Sequence, residues 1–143
     1  MKRFLGELEV SFIGLGCMGM SIGYGKANLS ECRKVLKRAL DLGISFFDTA
    51  DAYGRGKSEV LVGMGLEGHK TESVIGTKSG NSLAAPGQDF SEPYIRGALD
   101  ASLTRLEREY VDIYMLHGPP VDLMTDDLFA LMADLKGSGK VRS

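Results

Sequence analysis

The sequence predicts an α/β fold in which four consecutive βα units form one parallel sheet. Short apolar runs alternate with segments whose apolar residues recur at helical spacing, and this alternation repeats along the 143 residues. Strands joined through helices pair in parallel by right-handed crossovers. The pattern fits either an open doubly wound sheet or part of a (β/α)8 barrel. Since a complete barrel takes about 250 residues, the chain has room for roughly half of one.

The first unit combines a strand over residues 9–16 with a helix over residues 30–43. The strand is the run EVSFIGLG, which is largely apolar and ends in glycine. The helix places its apolar residues at i, i+3 and i+4, as one buried face requires. Ser30 is placed to cap the start of this helix and Gly43 to end it.

The second unit pairs a strand over residues 44–47 with a helix over residues 57–68. This helix is the weaker of the first two, because Gly63 and Gly65 lie in its interior. Each glycine costs about 1 kcal/mol relative to alanine in a helix.

The third and fourth units follow a similar plan. The third has a strand over residues 73–78, a long loop rich in Gly, Pro, Asn and Ser over residues 79–92, and a helix over residues 92–109. The fourth has a strand over residues 111–117 and a helix over residues 125–140. No low-complexity segment and no repeat beyond the βα alternation is present in the sequence.

Composition narrows the class of protein. Seventeen basic and nineteen acidic side chains give a net charge of −2, which offers no basic stripe for nucleic acid and no polybasic segment for anionic lipid. Glu7 and Glu9 stand where a secretory signal needs an apolar run, and no apolar stretch is long enough to span a bilayer. Cys17 and Cys32 are too few for a disulfide scaffold, so we expect a cytoplasmic protein.

Gly14, Gly16 and Gly19 form a G-x-G-x-x-G pattern directly after the first strand. A dinucleotide-binding Rossmann turn requires a helix to open at the third glycine, whereas the first helical pattern begins only near Ser30. A flexible turn that closes the strand is the simpler interpretation. A third is that the backbone approaches a ligand closely, which glycine permits.

Four polar side chains follow the ends of successive strands. Asp48 follows the second strand with Tyr53 in the loop beyond it, Lys78 ends the third strand, and His117 ends the fourth. Parallel strands bring their carboxyl ends to one rim, where barrel enzymes build their sites. Taken singly, each residue has a simpler interpretation: a turn cap, loop packing, a solvated lysine and a hydrogen-bonded turn histidine. Their arrangement on consecutive strand ends favours a shared site.

This set suits proton transfer to a carbonyl group. A lysine ammonium beside a phenol stabilises the phenolate, and Asp48 could hold that ammonium in place. His117 could donate a hydrogen bond to an oxygen as negative charge develops on it. The site would then reduce an aldehyde or ketone, with Tyr53 supplying the proton and a cofactor the hydride.

Seven segments together resemble the aldo-keto reductases, in the family's order and at its approximate spacing. They are GLGCMGMSIGYG, ALDLGISFFDTADAYG, GKSEVLVG, VIGTKSG, YIRGALDASLTRL, YVDIYMLH and LKGSGKVR. The resemblance implies the N-terminal half of a TIM (β/α)8 barrel, truncated after the fourth βα unit and forming a single domain over residues 1–143. It also implies a small carbonyl substrate and NADPH as cofactor.

Carried over by position, the family's catalytic tetrad falls on Asp48, Tyr53, Lys78 and His117. Tyr53 is then the general acid, Lys78 and Asp48 tune it, and His117 orients the carbonyl. The cofactor-binding residues implied are Gly16, Cys17, Met18 and Asp48, beside the nicotinamide ribose. No metal is implied.

Departures from the family pattern lead to further expectations. The sequence ends at Ser143, where the family continues into a fifth strand and three more βα units that carry most cofactor contacts. The helix glycines Gly63 and Gly65, and the sequence RLEREY where a glycine often follows the leucine, suggest relaxed constraint. The first and fourth strands are expected to be unpaired edges, which favours self-association. The alternative to a reductase is a catalytically silent half barrel that serves as an assembly or remnant domain.

Overall fold

The computed structural model describes residues 2–22, 28–81 and 87–143 and contains a four-stranded parallel sheet of order β3-β4-β5-β6. An antiparallel hairpin, β1-β2, precedes it. The elements are β1 Lys2–Leu5, β2 Leu8–Ser11, β3 Gly14–Gly16, α1 Leu29–Asp41, β4 Phe46–Asp48, α2 Lys57–Gly65, β5 Val74–Ser79, α3 Glu92–Leu106, β6 Ile113–Leu116 and α4 Asp126–Gly137. Short 3-10 helices cover Met18–Met20 and Val121–Leu123. The four predicted βα units are therefore confirmed.

The first predicted strand is wrong in one respect, because residues 9–16 are two strands. Phe12 and Ile13 interrupt them and are largely exposed, at 57% and 63%. β2 is the second arm of the hairpin, and only β3 belongs to the parallel sheet. Two hydrogen bonds hold the end of β2 in place. The Ser11 amide donates to the Ser45 hydroxyl and the Ser45 amide donates to the Ser11 hydroxyl, both at 2.9 Å. The apolar run showed strand propensity but not which strand each part would pair with.

The fourth strand was expected to be an unpaired edge of the sheet, and this prediction is wrong. Residues 141–143 run parallel to residues 111–112, which directly precede β6, so the edge of the sheet on this side is partly covered. The Arg142 amide donates to the Val111 carbonyl at 3.1 Å, and the Ser143 amide donates to the Asp112 carbonyl at 2.8 Å. Residues 141–143 thus cover part of this edge through an isolated bridge and backbone hydrogen bonds. Among the described strands, β3 pairs with β4 alone, as expected of an edge.

The core lies between the sheet and the helices. Phe47 and Ile75 come from the two central strands, and both are buried. Leu36 and Leu99 reach the same cluster from α1 and α3. Burying such side chains contributes about 1.5–3 kcal/mol each relative to leaving them exposed.

The start of α1 corrects the predicted cap. Asn28, rather than Ser30, is the N-cap, and its side chain accepts the Glu31 amide hydrogen at 3.0 Å. Ser30 lies inside the helix. Gly43 follows the helix end with a φ of +77°, so its predicted role as a stop is confirmed. Asn and Ser are both good caps, and local sequence does not choose between them.

Close packing of α2 explains the two helix glycines, so the expectation of relaxed constraint is wrong for Gly63 and Gly65. A Cβ on Gly63 would lie 2.7 Å from the Leu106 carbonyl oxygen, and one on Gly65 would overlap Leu36 Cδ1. α2 therefore packs tightly between α1 and α3. Only glycine fits against the α3 backbone at Gly63, whereas a Cβ on Gly65 would have to displace the end of the Leu36 side chain. All four helices end two or three residues earlier than the periodicity predicted.

Candidate active site

The parallel sheet brings the four predicted polar residues to one rim. Asp48 is the last residue of β4, Lys78 lies one residue before the end of β5, and His117 directly follows β6. Tyr53 lies in the loop between β4 and α2. The register aligns Asp48 with Gly76 on the neighbouring strand, which leaves Lys78 two residues further toward the rim.

The Lys78 ammonium contacts both Asp48 and Tyr53. Nζ donates to Asp48 Oδ2 at 2.8 Å, to the Thr49 carbonyl at 2.8 Å and to the Tyr53 phenolic oxygen at 3.2 Å. An ammonium has three hydrogens, so these contacts use its full donor capacity. The side chain of Lys78 is only 15% exposed, which strengthens its interaction with Asp48. The ammonium is consequently oriented toward the phenol.

His117 lies beside the same phenol. The rings of Tyr53 and His117 meet edge to face, with centroids 5.8 Å apart and planes at 86°. Burial, followed by the Lys78 ammonium, lowers the pKa of His117 from its usual value, while Asp48 opposes the change. The imidazole is therefore neutral at pH 7 and keeps one N–H available as a hydrogen-bond donor.

The loop that carries Tyr53 is attached to the end of β5. The Thr49 amide donates to the Gly76 carbonyl at 2.8 Å, and the Asp51 amide donates to the Lys78 carbonyl at 3.1 Å. Gly54 and Gly56 have φ values of +61° and +84°, which let the chain turn sharply into α2. The sequence TADAYGRG thus folds Tyr53 back over the strand end.

The predicted cofactor-binding residues surround the end of β3. Gly16 is exposed, and a Cβ there would meet no atom of the described residues within 4 Å, so these residues leave an open space above its backbone. Met18 is 38% exposed beside it. Cys17 is different: its side chain is buried, its amide donates to the Asp48 carbonyl at 2.8 Å, and burial raises the pKa of its thiol to about 12. Cys17 therefore fills space beneath the surface that Gly16 and Met18 form.

The glycine pattern is not a Rossmann turn. A 3-10 helix over Met18–Met20 follows β3, and α1 begins only at Leu29. No long helix therefore opens at Gly19 toward a pyrophosphate. The segment 23–25 of the predicted opening motif and residues 82–86 of the predicted long loop lie outside the described residues.

Comparison with known proteins places the chain in a family. The sequence profile of the aldo/keto reductase family matches residues 12–143. The chain belongs to this family. It is 37% identical to a holo-form aldo-keto reductase from Bacillus halodurans, with a TM-score of 0.87 over 99% of this chain and 48% of that one. The four βα units therefore correspond to half of an aldo-keto reductase (β/α)8 barrel, and the doubly wound alternative is excluded.

Two curated relatives agree with the family. One is YqkF, an uncharacterized oxidoreductase of Bacillus subtilis, at 36% identity over 99% of this chain and 46% of that protein. The other is the Schizosaccharomyces pombe aldo-keto reductase yakc, whose name specifies NADP(+), at 33% identity over 98% of this chain and 43% of that protein. The chain spans slightly less than half the length of these two relatives.

A buried polar network lies behind the candidate site, and sequence reasoning missed it. Glu59 of α2 is fully buried; one carboxylate oxygen accepts the Thr77 hydroxyl at 2.6 Å and the other accepts Arg105 Nε at 2.6 Å. Thr77 immediately precedes Lys78, so the network fixes the strand that carries the ammonium. The one signal in the sequence was an acidic residue on an otherwise apolar stretch of α2, SEVLVG.

Asp51 was also missed. It is buried, and neither carboxylate oxygen has a hydrogen-bond partner among the described residues. Burial, and then the charge of Glu59, raise the pKa of Asp51 to about 6. A buried carboxyl without a partner is unusual in a folded protein. It lies two residues before Tyr53.

The described ranges contain no group of three or more His, Cys, Asp or Glu side chains that could hold a metal ion. Within the same ranges, every helix is too short or too polar to cross a bilayer.

Proposed function

We propose that this chain carries the catalytic groups of an NADPH-dependent carbonyl reductase. The observation that supports it is the Lys78 ammonium held between the Asp48 carboxylate and the Tyr53 phenol. Membership of the aldo/keto reductase family supports an oxidoreductase of this kind. The substrate is a small aldehyde or ketone, which becomes an alcohol.

Each of the four groups has a role in that reaction. Tyr53 donates its proton to the carbonyl oxygen, and the Lys78 ammonium stabilises the phenolate that is left. Asp48 orients the Lys78 ammonium toward the phenol through its 2.8 Å contact. Neutral His117 donates a hydrogen bond to the carbonyl oxygen as negative charge develops there. Solvent then returns a proton to Tyr53.

The residues at the end of β3 fit one end of NADPH. Gly16 leaves open space above its backbone, Met18 offers an exposed apolar side chain, and the Asp48 carboxylate is one-third exposed beside them. Cys17 lies beneath this surface, and its backbone amide donates a hydrogen bond to the Asp48 carbonyl. When bound, NADPH supplies the hydride. The name of yakc, which specifies NADP(+), supports the choice of this cofactor.

The test combines binding with turnover in the full chain. NADPH fluorescence is titrated against the wild type, the Tyr53→Phe variant and the Tyr110→Phe variant, and each is assayed with a panel of small aldehydes. We expect Tyr53→Phe to lower turnover by about 10²–10⁴-fold while leaving NADPH binding unchanged. Tyr110 is 38% exposed and has no role in the site, so Tyr110→Phe should behave as the wild type. A folded chain that binds no NADPH would favour the catalytically silent half barrel.

We also propose that residues 1–143 fold as one domain and self-associate through the β3 edge. That strand pairs only with β4 among the described strands, and the exposed side chains of Phe12 and Ile13 lie beside it. Unpaired strand edges favour pairing with another copy. Size-exclusion chromatography with light scattering should give a dimer or larger species. A monomer with a sharp thermal transition would contradict self-association and keep the single domain.

A cytoplasmic location completes the proposal. Cys17 and Cys32 are both free and buried, as suits a reducing compartment. Cell fractionation should recover the protein with cytoplasmic markers, and recovery from an oxidising compartment would contradict this assignment.

A further inference from the structure

The His117 ring is not held by a hydrogen bond at Nδ1. This nitrogen is buried and has no partner among the described residues. The ring contact with Tyr53 is an edge-to-face packing contact at 5.8 Å. The orientation of the imidazole therefore depends strongly on how firmly the backbone at residue 117 is held.

The amide of His117 is held by the sheet, but its carbonyl is not. The amide donates to the Ser79 carbonyl at 2.8 Å, which extends the β5–β6 ladder by one bond. Beyond this point the chain turns at Gly118, whose φ is +66°. No main-chain donor of the described residues reaches the carbonyls of His117 and Gly118.

Among the described residues, one side chain reaches both carbonyls. Gln88 Nε2 lies 3.2 Å from the His117 carbonyl oxygen and 3.1 Å from the Gly118 carbonyl oxygen. It lies 3.3 Å from Asn81 Oδ1 as well. The side chain amide therefore bridges the loop after β5 and the turn after β6.

Gln88 is itself held in place. It forms an antiparallel bridge with Asn81, and the next residue, Asp89, donates its amide to the Gly80 carbonyl at 2.8 Å. The Tyr94 hydroxyl donates to the Asn81 carbonyl at 2.8 Å, which ties this segment to α3. Because these hydrogen bonds hold the segment around Gln88 in place, its side-chain amide can fix the turn at residues 117–118.

We infer that Gln88 is a positioning residue for His117: it fixes the backbone turn at residues 117–118 and so holds the imidazole against Tyr53. The link to catalysis rests on the proposed reductase function. The effect of Gln88 on the position of the imidazole does not depend on that function, because it follows from the hydrogen bonds alone.

The chain offers a direct readout, since it contains only two histidines, His69 and His117. NMR of the imidazole signals in the full chain follows both during a pH titration. Gln88→Met keeps the length of the side chain and removes its donors without adding charge. We expect this variant to move the His117 signals and to raise their titration midpoint toward that of an exposed imidazole, because a looser ring is less buried. The His69 signals should stay unchanged and report that the fold is intact.

Two more variants complete the test. Gln88→Asn keeps the amide but shortens the side chain, so it should behave as Gln88→Met. Asp122→Asn changes an exposed residue in the 3-10 helix that follows His117 and should leave both histidines as in the wild type. A folded Gln88→Met or Gln88→Asn variant with unchanged His117 signals and midpoint would overturn the inference. The readout needs no turnover, so it separates failure of this inference from failure of the reductase proposal.

Discussion

The carboxylate of Glu59 is fully buried and accepts the Nε hydrogen of Arg105 at 2.6 Å, across 46 residues of sequence. Arg105 also donates to Ser102 at 3.1 Å, and Glu59 also accepts the Thr77 hydroxyl. The pair therefore connects α2, α3 and the strand that carries Lys78.

Glu59→Ala is expected to destabilise the protein by about 3–5 kcal/mol, because it leaves the Arg105 guanidinium partly buried without its counter-charge. Urea unfolding measures this change. The exposed pair of Lys37 and Asp41, 3.0 Å apart, provides the control. Lys37→Ala should change the free energy of unfolding by no more than about 0.5 kcal/mol. Equal effects of the two substitutions would contradict the importance of the buried pair.

Asp51 should make the protein less stable as the pH rises. Its pKa is about 6 in the folded state against the ordinary 3.8, so between about pH 4 and 6 the unfolded chain loses this proton first. The contribution of protonated Asp51 to the free energy of unfolding is complete below pH 4 and is lost as the pH rises past 6. Asp51→Asn should therefore be more stable than the wild type at pH 7.5, by roughly 2–3 kcal/mol at most.

The difference between Asp51→Asn and the wild type is measured by denaturant unfolding at several pH values. It should grow from pH 4 to pH 7 and then level off. Asp122→Asn, at an exposed position, should show no such trend. A difference for Asp51→Asn that does not vary with pH would mean that Asp51 titrates as it does in the unfolded chain.

Two glycines in helices should respond in opposite ways to alanine. In Gly63→Ala the new Cβ meets the Leu106 carbonyl oxygen at 2.7 Å and the Arg105 carbonyl oxygen at 2.9 Å, and backbone atoms cannot move aside cheaply. We expect a loss of about 1–3 kcal/mol. In Gly97→Ala the Cβ meets nothing within 4 Å, so helix propensity should increase stability by up to about 1 kcal/mol. Thermal unfolding of both variants decides the matter, and equal shifts would contradict the packing argument.

Glu107 ends α3 in the left-handed conformation, with φ 54° and ψ 45°. This conformation costs a residue with a Cβ roughly 1–2 kcal/mol. Glu107→Gly should stabilise the protein by about 0.5–1 kcal/mol, since the greater entropy of the unfolded glycine offsets part of the gain. The bond from Lys70 Nζ to the residue 107 carbonyl at 2.5 Å involves only the backbone and should persist.

The control for this prediction is Glu109→Gly, at an exposed position two residues away where φ is not positive. It should be neutral or destabilising in the same thermal unfolding assay. A stabilising effect at residue 109, or none at residue 107, would show that backbone conformation does not explain the difference.

Sequence periodicity predicted the four βα units and the rim that carries Asp48, Lys78 and His117. It could do so because strand and helix patterns depend on near neighbours, and parallel strands necessarily end at one side of a sheet. Tyr53 was recognisable for the same reason, as it follows a strand end within a short loop. From the sequence, the contact between the Lys78 ammonium and the Tyr53 phenol was a hypothesis. In the structure, Lys78 Nζ lies 3.2 Å from the phenolic oxygen.

Contacts between distant residues required the tertiary structure. Local pattern gave no reason to pair Glu59 with Arg105, to break the first strand at Phe12, or to lay residues 141–143 along the fourth strand segment. It also misread Gly63, because the atom that excludes a side chain there belongs to Leu106, 43 residues further along.

The amino-acid sequence by itself determined which segments are strands and helices and which polar groups reach the rim, since these follow from local periodicity. Only the folded chain decided how the buried charges are paired, where glycine is indispensable, and which side chain holds His117 in place. These depend on atoms that folding brings together from remote positions, and their energies arise from burial and exact distance rather than from order along the chain.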